Sequence, residues 1–307
     1  DYVRQACGIE KVTGYVFPQK NQSMMMAEWL KAQNWKAPRI GFTRYFISLK
    51  DYLCLRDAAP DMEVCDLATV CYQLRSIKDE SEIEKMRLAG KALAAGMQAA
   101  IDCVKPGMME VEVLAEAEYA MTKSGSQGSS FRMQVLTHSR QMHKHPYASR
   151  AILEDNAPVV IHLGASCEGY VAKMCRTVFL GKPDPESVRI YETLKAAQKV
   201  AVAALRPGVT CGEIYDKTTE YVATQGFEKY WVMNHIGYGV GIRQSEFYPI
   251  IAKDSQTVLE ENMIVDLLLP SIYVPKVGGA RITDTILMKK EGVEYLTQYP
   301  TETVFKA

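Results

Sequence analysis

The sequence has no surplus of charge: 36 Lys and Arg balance 36 Asp and Glu, and no long run carries one sign. Proteins that grip nucleic acid or an anionic membrane normally present a basic face, and nothing in this composition supplies one. No apolar run reaches the roughly 18 residues that cross a bilayer, and no signal peptide is visible, so a cytoplasmic location is expected. The eight cysteines, at 7, 54, 65, 71, 103, 167, 175 and 211, form no Cys-x-x-Cys pair and are too sparse for a disulfide scaffold. Reduced thiols are expected. What is present is ordinary for a globular protein: 307 residues, 48% hydrophobic and 23% charged. Such a chain can bury a large core without disulfides or metals as staples, and its length suggests two domains.

Residues 23–36 repeat Met, Trp and Leu at helical spacing, which predicts a helix with its methionine stripe in a core. RIGF at 39–42 reads as a short buried strand, SLKDYLCLRDA as a helix and MEVCDL as another strand. That alternation predicts an α/β domain over residues 1–74. The pattern then changes. Asp79 and Ser81 offer N-caps to a long Ala-rich helix that runs on toward Pro106-Gly107. A second long helix opens near Asp184 and runs to Pro207-Gly208. Each is followed by a shorter helix with acidic residues in its first turn, and strands lie between and after the two copies. Residues 75–307 are therefore expected to form two similar halves that share one sheet, with a cleft at their pseudo-twofold axis.

The segments RSIKDESEIEKMRLAG, GYVAKMCRTVFLG, GYGVG and GGARITDTILM, in this order and spacing, resemble the pita-bread family of methionine aminopeptidase, aminopeptidase P, prolidase and creatinase. The resemblance covers residues 75–300, while residues 1–74 match the latter part of a creatinase-type N-terminal domain. It implies an α+β pita-bread domain with an internal pseudo-twofold repeat, preceded by part of an α/β creatinase-type N-terminal domain. It also implies a homodimer acting on a small-molecule substrate. In the family's peptidases two Asp, one His and two Glu hold a pair of divalent metals. Here His162 stands at the first Asp and Lys173 at the bridging Asp, with Tyr238 at the His. Leu269 (or Leu268, since the register slips by one) stands at one Glu and Thr283 at the other. Two hard cations need several anionic oxygens, which this set does not supply. No metal and no cofactor is expected.

Creatinase hydrolyses a guanidino compound on this scaffold without metal, with a His as base. The resemblance puts His145, with His143 close by, at that base's distance before His162. An imidazole exchanges protons near neutrality. The rest of the creatinase apparatus is missing: Cys175 stands at the Glu before Arg-Thr, and Ser245, beside Glu246, at the second His. Lys173, with Arg176 and Arg281 on adjacent strands, brings cationic charge to the space the metals would fill. It is expected to pair with a substrate carboxylate or with Asp284 or Glu246, or else to be a structural bridge that fills the cavity. Cys175 should share a strand face with Lys173 and is a candidate nucleophile if a cation lowers its pKa, against the plainer reading of a small apolar residue. Tyr238 can donate a proton, and His235, Glu246, Arg281 and Asp284 are candidate substrate-binding groups. Two functions follow. One is a metal-independent hydrolase of an amide or amidine C–N bond in a small polar molecule, with His145, His162, Lys173, Cys175 and Tyr238 as its catalytic candidates. The other is an inactive homologue that binds a peptide or protein.

Overall fold

The computed structural model describes residues 8–43, 47–143, 146–231 and 233–307, with only the main chain described at 268–271. The chain divides into two compact units, Asp1–Cys71 and Tyr72–Ala307. In the first, Asn21 caps helix α1 (Gln22–Ala32) by accepting a hydrogen bond from Met24 N. Strand β1 (Arg39–Phe42), helix α2 (Leu49–Ala58) and strand β2 (Glu63–Asp66) form a parallel βαβ crossover. Two expectations are corrected here. Of α1 only Ser23 and Leu30 are buried, so its methionines do not fill a core, and β1 is exposed at alternate residues rather than buried. A short helix, α3 (Ala68–Leu74), follows.

The second unit is built twice over. Helix α4 (Glu80–Cys103) starts in a capping box, in which Asp79 accepts from Glu82 N and Glu82 accepts from Asp79 N. Its buried Ile83, Met86, Leu93, Met97 and Ala100 fall on one face at helical spacing. Gly107, at φ 84°, turns the chain into α5 (Glu110–Lys123). The pair α6 (Pro185–Ala204) and α7 (Cys211–Thr224) repeats this arrangement, with Gly208 at φ 88°. The likeness extends to single hydrogen bonds. Gly107 N donates to Leu153 O as Gly208 N donates to Leu259 O, and the bridge Met109–Ile152 matches Thr210–Val258.

The strands are β3 (Gln134–Leu136), β4 (Pro158–Cys167), β5 (Tyr170–Leu180), β6 (His235–Gly239), β7 (Glu246–Ala252), β8 (Ile264–Val274), β9 (Gly278–Met288), β10 (Val293–Tyr295) and β11 (Val304–Lys306). They form one sheet in the order β3-β4-β5-β9-β8-β6-β7, with β10 on β9 and β11 on β5. The hairpin β4-β5 of the first half meets the hairpin β8-β9 of the second along a seam where Cys175 pairs with Thr283. One face of the sheet packs on the helices: Ile161, Leu163 and Met174 join α4 and α5, while Val265, Leu267 and Ile282 join α6 and α7. Because side chains alternate along a strand, the residues between these point to the opposite face. That face carries the polar groups.

Candidate active site

Two rows of side chains cross the helix-free face. The first follows the pairing Gln134–His162–Cys175–Thr283. The second, one pleat along, runs Gly164–Lys173, then Thr285–Asp266–Tyr238. Thr285 Oγ1 joins the two parts of this row by accepting from Lys173 N at 2.9 Å. Laterally paired residues share a face, so the sheet brings together His162, Lys173, Cys175 and Tyr238 as the sequence suggested. His145 lies outside the described residues.

Lys173 is 2% exposed and its ammonium is enclosed by the protein. Nζ lies 2.5 Å from Asp266 Oδ2, donates to Gln244 O at 2.6 Å and to Tyr238 Oη at 3.3 Å, and stands 4.6 Å from the centre of the Tyr238 ring. Thr285 completes the arrangement by donating to Asp266 Oδ1 at 2.6 Å. Burial alone would push the Lys173 pKa down, but the Asp266 carboxylate and Tyr238 carry it above its ordinary value, so the site keeps an ammonium. The partner expected from the sequence is corrected. Asp284 points to the helix face, where it takes a bidentate bond from Arg176 and a third from Gln198. Arg176 is thus committed to Asp284 on the helix face. Glu246, 0% exposed, is held by Arg75 Nε at 3.2 Å and Lys78 Nζ at 3.6 Å. Asp266, missed in the sequence, had a visible signal: it is the lone acid in the apolar run MIVDLLLP, and an acid there needs a partner.

His162 is 9% exposed and packs on Phe131, with ring centres 4.7 Å apart. Burial, and then the charges of Lys173 and Arg281, hold its pKa well below the usual imidazole value, so the ring is neutral at neutral pH. Its Nε2 is buried with no hydrogen-bond partner among the described residues, as are Thr283 Oγ1 and Ser130 Oγ. Gly164 explains how Ser130 and Phe131 come so close. A methyl group there would collide with Ser130 Oγ and the Phe131 ring. Arg281 reaches over the first row to donate to Gln134 Oε1 at 2.9 Å, and Gln134 Nε2 donates to Pro146 O at 2.8 Å.

Cys175 is fully buried, and burial pushes its thiol up to about 12 despite nearby Arg281 and Arg176. Such a thiol is not ionised at neutral pH, which corrects its reading as an activated nucleophile. His235 is half-buried beside Tyr238, with ring centres 6.1 Å apart, and burial lowers its pKa.

These donors do not fit a pair of divalent ions. Lys173 has no lone pair to offer while protonated, and its one carboxylate neighbour, Asp266, is taken up by the ammonium. His162 is a single imidazole, and no group of three or more His, Cys, Asp or Glu able to hold a metal occurs among the described residues. No helix there is long and apolar enough to cross a membrane.

Comparison with known proteins places this geometry. Residues 84–290 match the model of metallopeptidase family M24. The Xaa-Pro dipeptidase of Pyrococcus horikoshii is 35% identical over 236 residues, covering 76% of this chain and 66% of that relative. The Xaa-Pro dipeptidase of Lactobacillus delbrueckii subsp. lactis is 30% identical over 297 residues, 95% of this chain and 78% of the relative. Among solved structures, the Xaa-Pro dipeptidase from Bacillus anthracis superposes with a TM-score of 0.86 at 30% identity, covering 99% of this chain and 84% of that one.

Proposed function

The chain belongs to metallopeptidase family M24, and from that premise we propose that it is a metal-independent hydrolase that cleaves an amide or amidine C–N bond in a small polar substrate. One observation carries the reading: Lys173 is buried with Nζ 2.5 Å from Asp266 Oδ2, and the resemblance aligns this lysine with a metal-bridging Asp of the family's peptidases. Family membership supports hydrolysis, and the names of the relatives put Xaa-Pro dipeptides among the substrates to try. The neutral imidazole of His162, with Nε2 uncommitted, supplies a hydrogen-bonding group beside the scissile bond, and His145 is the assigned base. Tyr238, oriented by Lys173, donates toward the leaving nitrogen.

A second reading has its own support. Lys173 is satisfied by internal partners and Cys175 is protonated, which suits a scaffold that binds a peptide or protein without turnover. The test is turnover of EDTA-treated protein on a panel of Xaa-Pro dipeptides, guanidino acids and cyclic amidines, with melting temperature read alongside. A ligand at about a hundred times its dissociation constant adds roughly 2.7 kcal/mol, so binding registers even without chemistry. Turnover that EDTA leaves intact supports the hydrolase. Activity that appears only on adding Mn²⁺ or Co²⁺ overturns metal independence, and binding without turnover selects the scaffold.

A further inference from the structure

The Lys173–Asp266 pair is held from the helix face as well as from its own. Thr285, fully buried, lies between the two residues in the second row. Its Oγ1 accepts from Lys173 N at 2.9 Å and gives its single hydrogen to Asp266 Oδ1 at 2.6 Å, in preference to the Lys173 carbonyl at 3.1 Å. One hydroxyl thus fixes both the main chain that carries the ammonium and the carboxylate that receives it. The backbone of Thr285 is engaged by the segment that follows β10. Its N–H donates to Thr297 Oγ1 at 3.1 Å, and its carbonyl accepts from Leu296 N at 2.9 Å. Thr297 Oγ1 in turn donates to Asp284 Oδ1 at 2.8 Å, on the helix face. Arg176 holds Asp284 there and also donates to Tyr299 O and Pro300 O, at 3.0 Å each. The chain from Leu296 to Pro300 is therefore a strap fastened to β9 and to the helix face, and Thr285 is where it meets the site.

The pseudo-twofold supplies an internal comparison. Thr177 on β5 corresponds to Thr285 on β9, and its Oγ1 accepts from Arg281 N and donates to Arg281 O, both at 3.0 Å. Across the ladder, however, Thr177 faces Val160, which has no acid to offer, whereas Thr285 faces Asp266. Both threonines join the two halves along the seam; the link to an ion pair belongs to Thr285. Without that hydroxyl, Lys173 N and Asp266 Oδ1 would each lose a partner in a dry site, and buried polar groups left so shift toward whatever else can bond them. The ammonium moves with them, and so does the bond that Nζ makes to Tyr238 Oη at 3.3 Å.

We infer that Thr285 is a positioning residue for Tyr238, acting through Lys173 and Asp266, and that Thr297 on the strap sets Thr285 from the helix face. The inference rests on the reading of Tyr238 as donor to the leaving nitrogen. It makes the strap, which touches no substrate, part of what aligns the site.

The experiment follows the Lys173 ammonium by nuclear magnetic resonance in whole protein isotope-labelled at lysine Nζ, where it is the resonance missing from Lys173→Met. Enclosed by its bonds to Asp266, Gln244 and Tyr238, the ammonium should exchange hydrogen with water slowly. Thr285→Val should speed that exchange by at least about tenfold, and Thr285→Ser, which keeps the hydroxyl, should restore it. Thr297→Val should speed it too, while Thr177→Val, which loosens the same seam, should leave it as in the parent. On whichever panel substrate is cleaved, Thr285→Val should lower kcat by about tenfold at an unchanged KM. Parental exchange in Thr285→Val, or an acceleration in Thr177→Val as large as in Thr285→Val, overturns the positioning role. Should Thr285→Val fail to fold, Thr297→Val decides, and parental exchange there overturns the link through the strap. Failure of the hydrolase reading is separate. The exchange measurement needs no substrate, so a protein that cleaves nothing on the panel loses the enzyme and keeps the link, whereas parental kcat in Thr285→Val removes the positioning role and keeps the enzyme.

Discussion

Replacing Lys173 by Met takes away the ammonium but keeps most of the aliphatic stem, so the test falls on charge and not on volume. Asp266 is 0% exposed, and without Lys173 its Oδ2 has no cation within reach among the described contacts, while Thr285 still serves Oδ1. The carboxylate must then stay charged in a dry site or take up a proton. Breaking a buried pair on one side typically costs about 3–5 kcal/mol. Asp266→Leu alone strands the ammonium, leaving Gln244 O and Tyr238 Oη as its acceptors, and should cost a similar amount. The double variant removes both charges and should recover most of the loss, because apolar replacement of a buried pair is often neutral. With single losses of about 3–5 kcal/mol each and a double-variant loss of about 1 kcal/mol, the cycle should report a coupling of roughly 5–9 kcal/mol. Because the chain has two compact units, a single unfolding transition is not assumed. Trp231 lies in the second unit, so urea unfolding followed by its fluorescence, in a Trp29→Phe, Trp35→Phe background, isolates the relevant transition. Single-variant losses below about 1 kcal/mol, or a double variant no better than the singles, would refute the view that this pair replaces metal in holding the site together.

Three further outcomes are expected. His162 is neutral in the fold with its pKa held below its ordinary 6.5, so as pH falls the unfolded chain takes the proton first. Its contribution is full above about pH 6.5 and is lost as pH drops, by up to about 1.4 kcal/mol per unit. Urea midpoints between pH 7.5 and 5 should thus fall more steeply for the parent than for His162→Gln, and equal slopes would count against a neutral imidazole. With its thiol pushed to about 12, Cys175 should resist iodoacetamide at pH 8 while the half-buried Cys54, Cys65 and Cys71 react; peptide mapping that finds Cys175 modified first would overturn that assignment. Gly164→Ala should displace Ser130 and Phe131 at a cost of about 1–3 kcal/mol, and an unchanged melting temperature would show that the close approach is not fixed.

The repeat was legible because each half writes the same local signals: an N-cap, an apolar stripe at helical spacing, and Pro-Gly where the chain must turn with positive φ. Those signals act within a few residues, so Asp79, Gly107 and Gly208 declare themselves in any single sequence. The departures from the family's ligand pattern at Lys173, Tyr238 and Thr283 were expected from the resemblance alone, because these residues sit inside recognisable strands. Partners were not. Lys173 and Asp266 lie on strands separated by β9, and nothing local says which of Asp266, Asp284 and Glu246 the ammonium meets. Strand parity decides it: Asp284 is one residue out of phase with Thr283 and Thr285, which puts it on the helix face. The failure of the methionine stripe in α1 has a similar cause. Helical spacing gives a face, but whether anything covers that face depends on the rest of its unit.

The Lys173–Asp266 pair also constrains which single substitutions the site can accept. An Asp at position 173 would set a second acid against the buried Asp266, where two carboxylates cannot both ionise, and one would be held protonated. Changing Asp266 first strands the ammonium instead. Either single step should therefore cost more stability than the paired change, so the two positions behave as one unit: the surroundings can vary one residue at a time, but this pair can be exchanged only together.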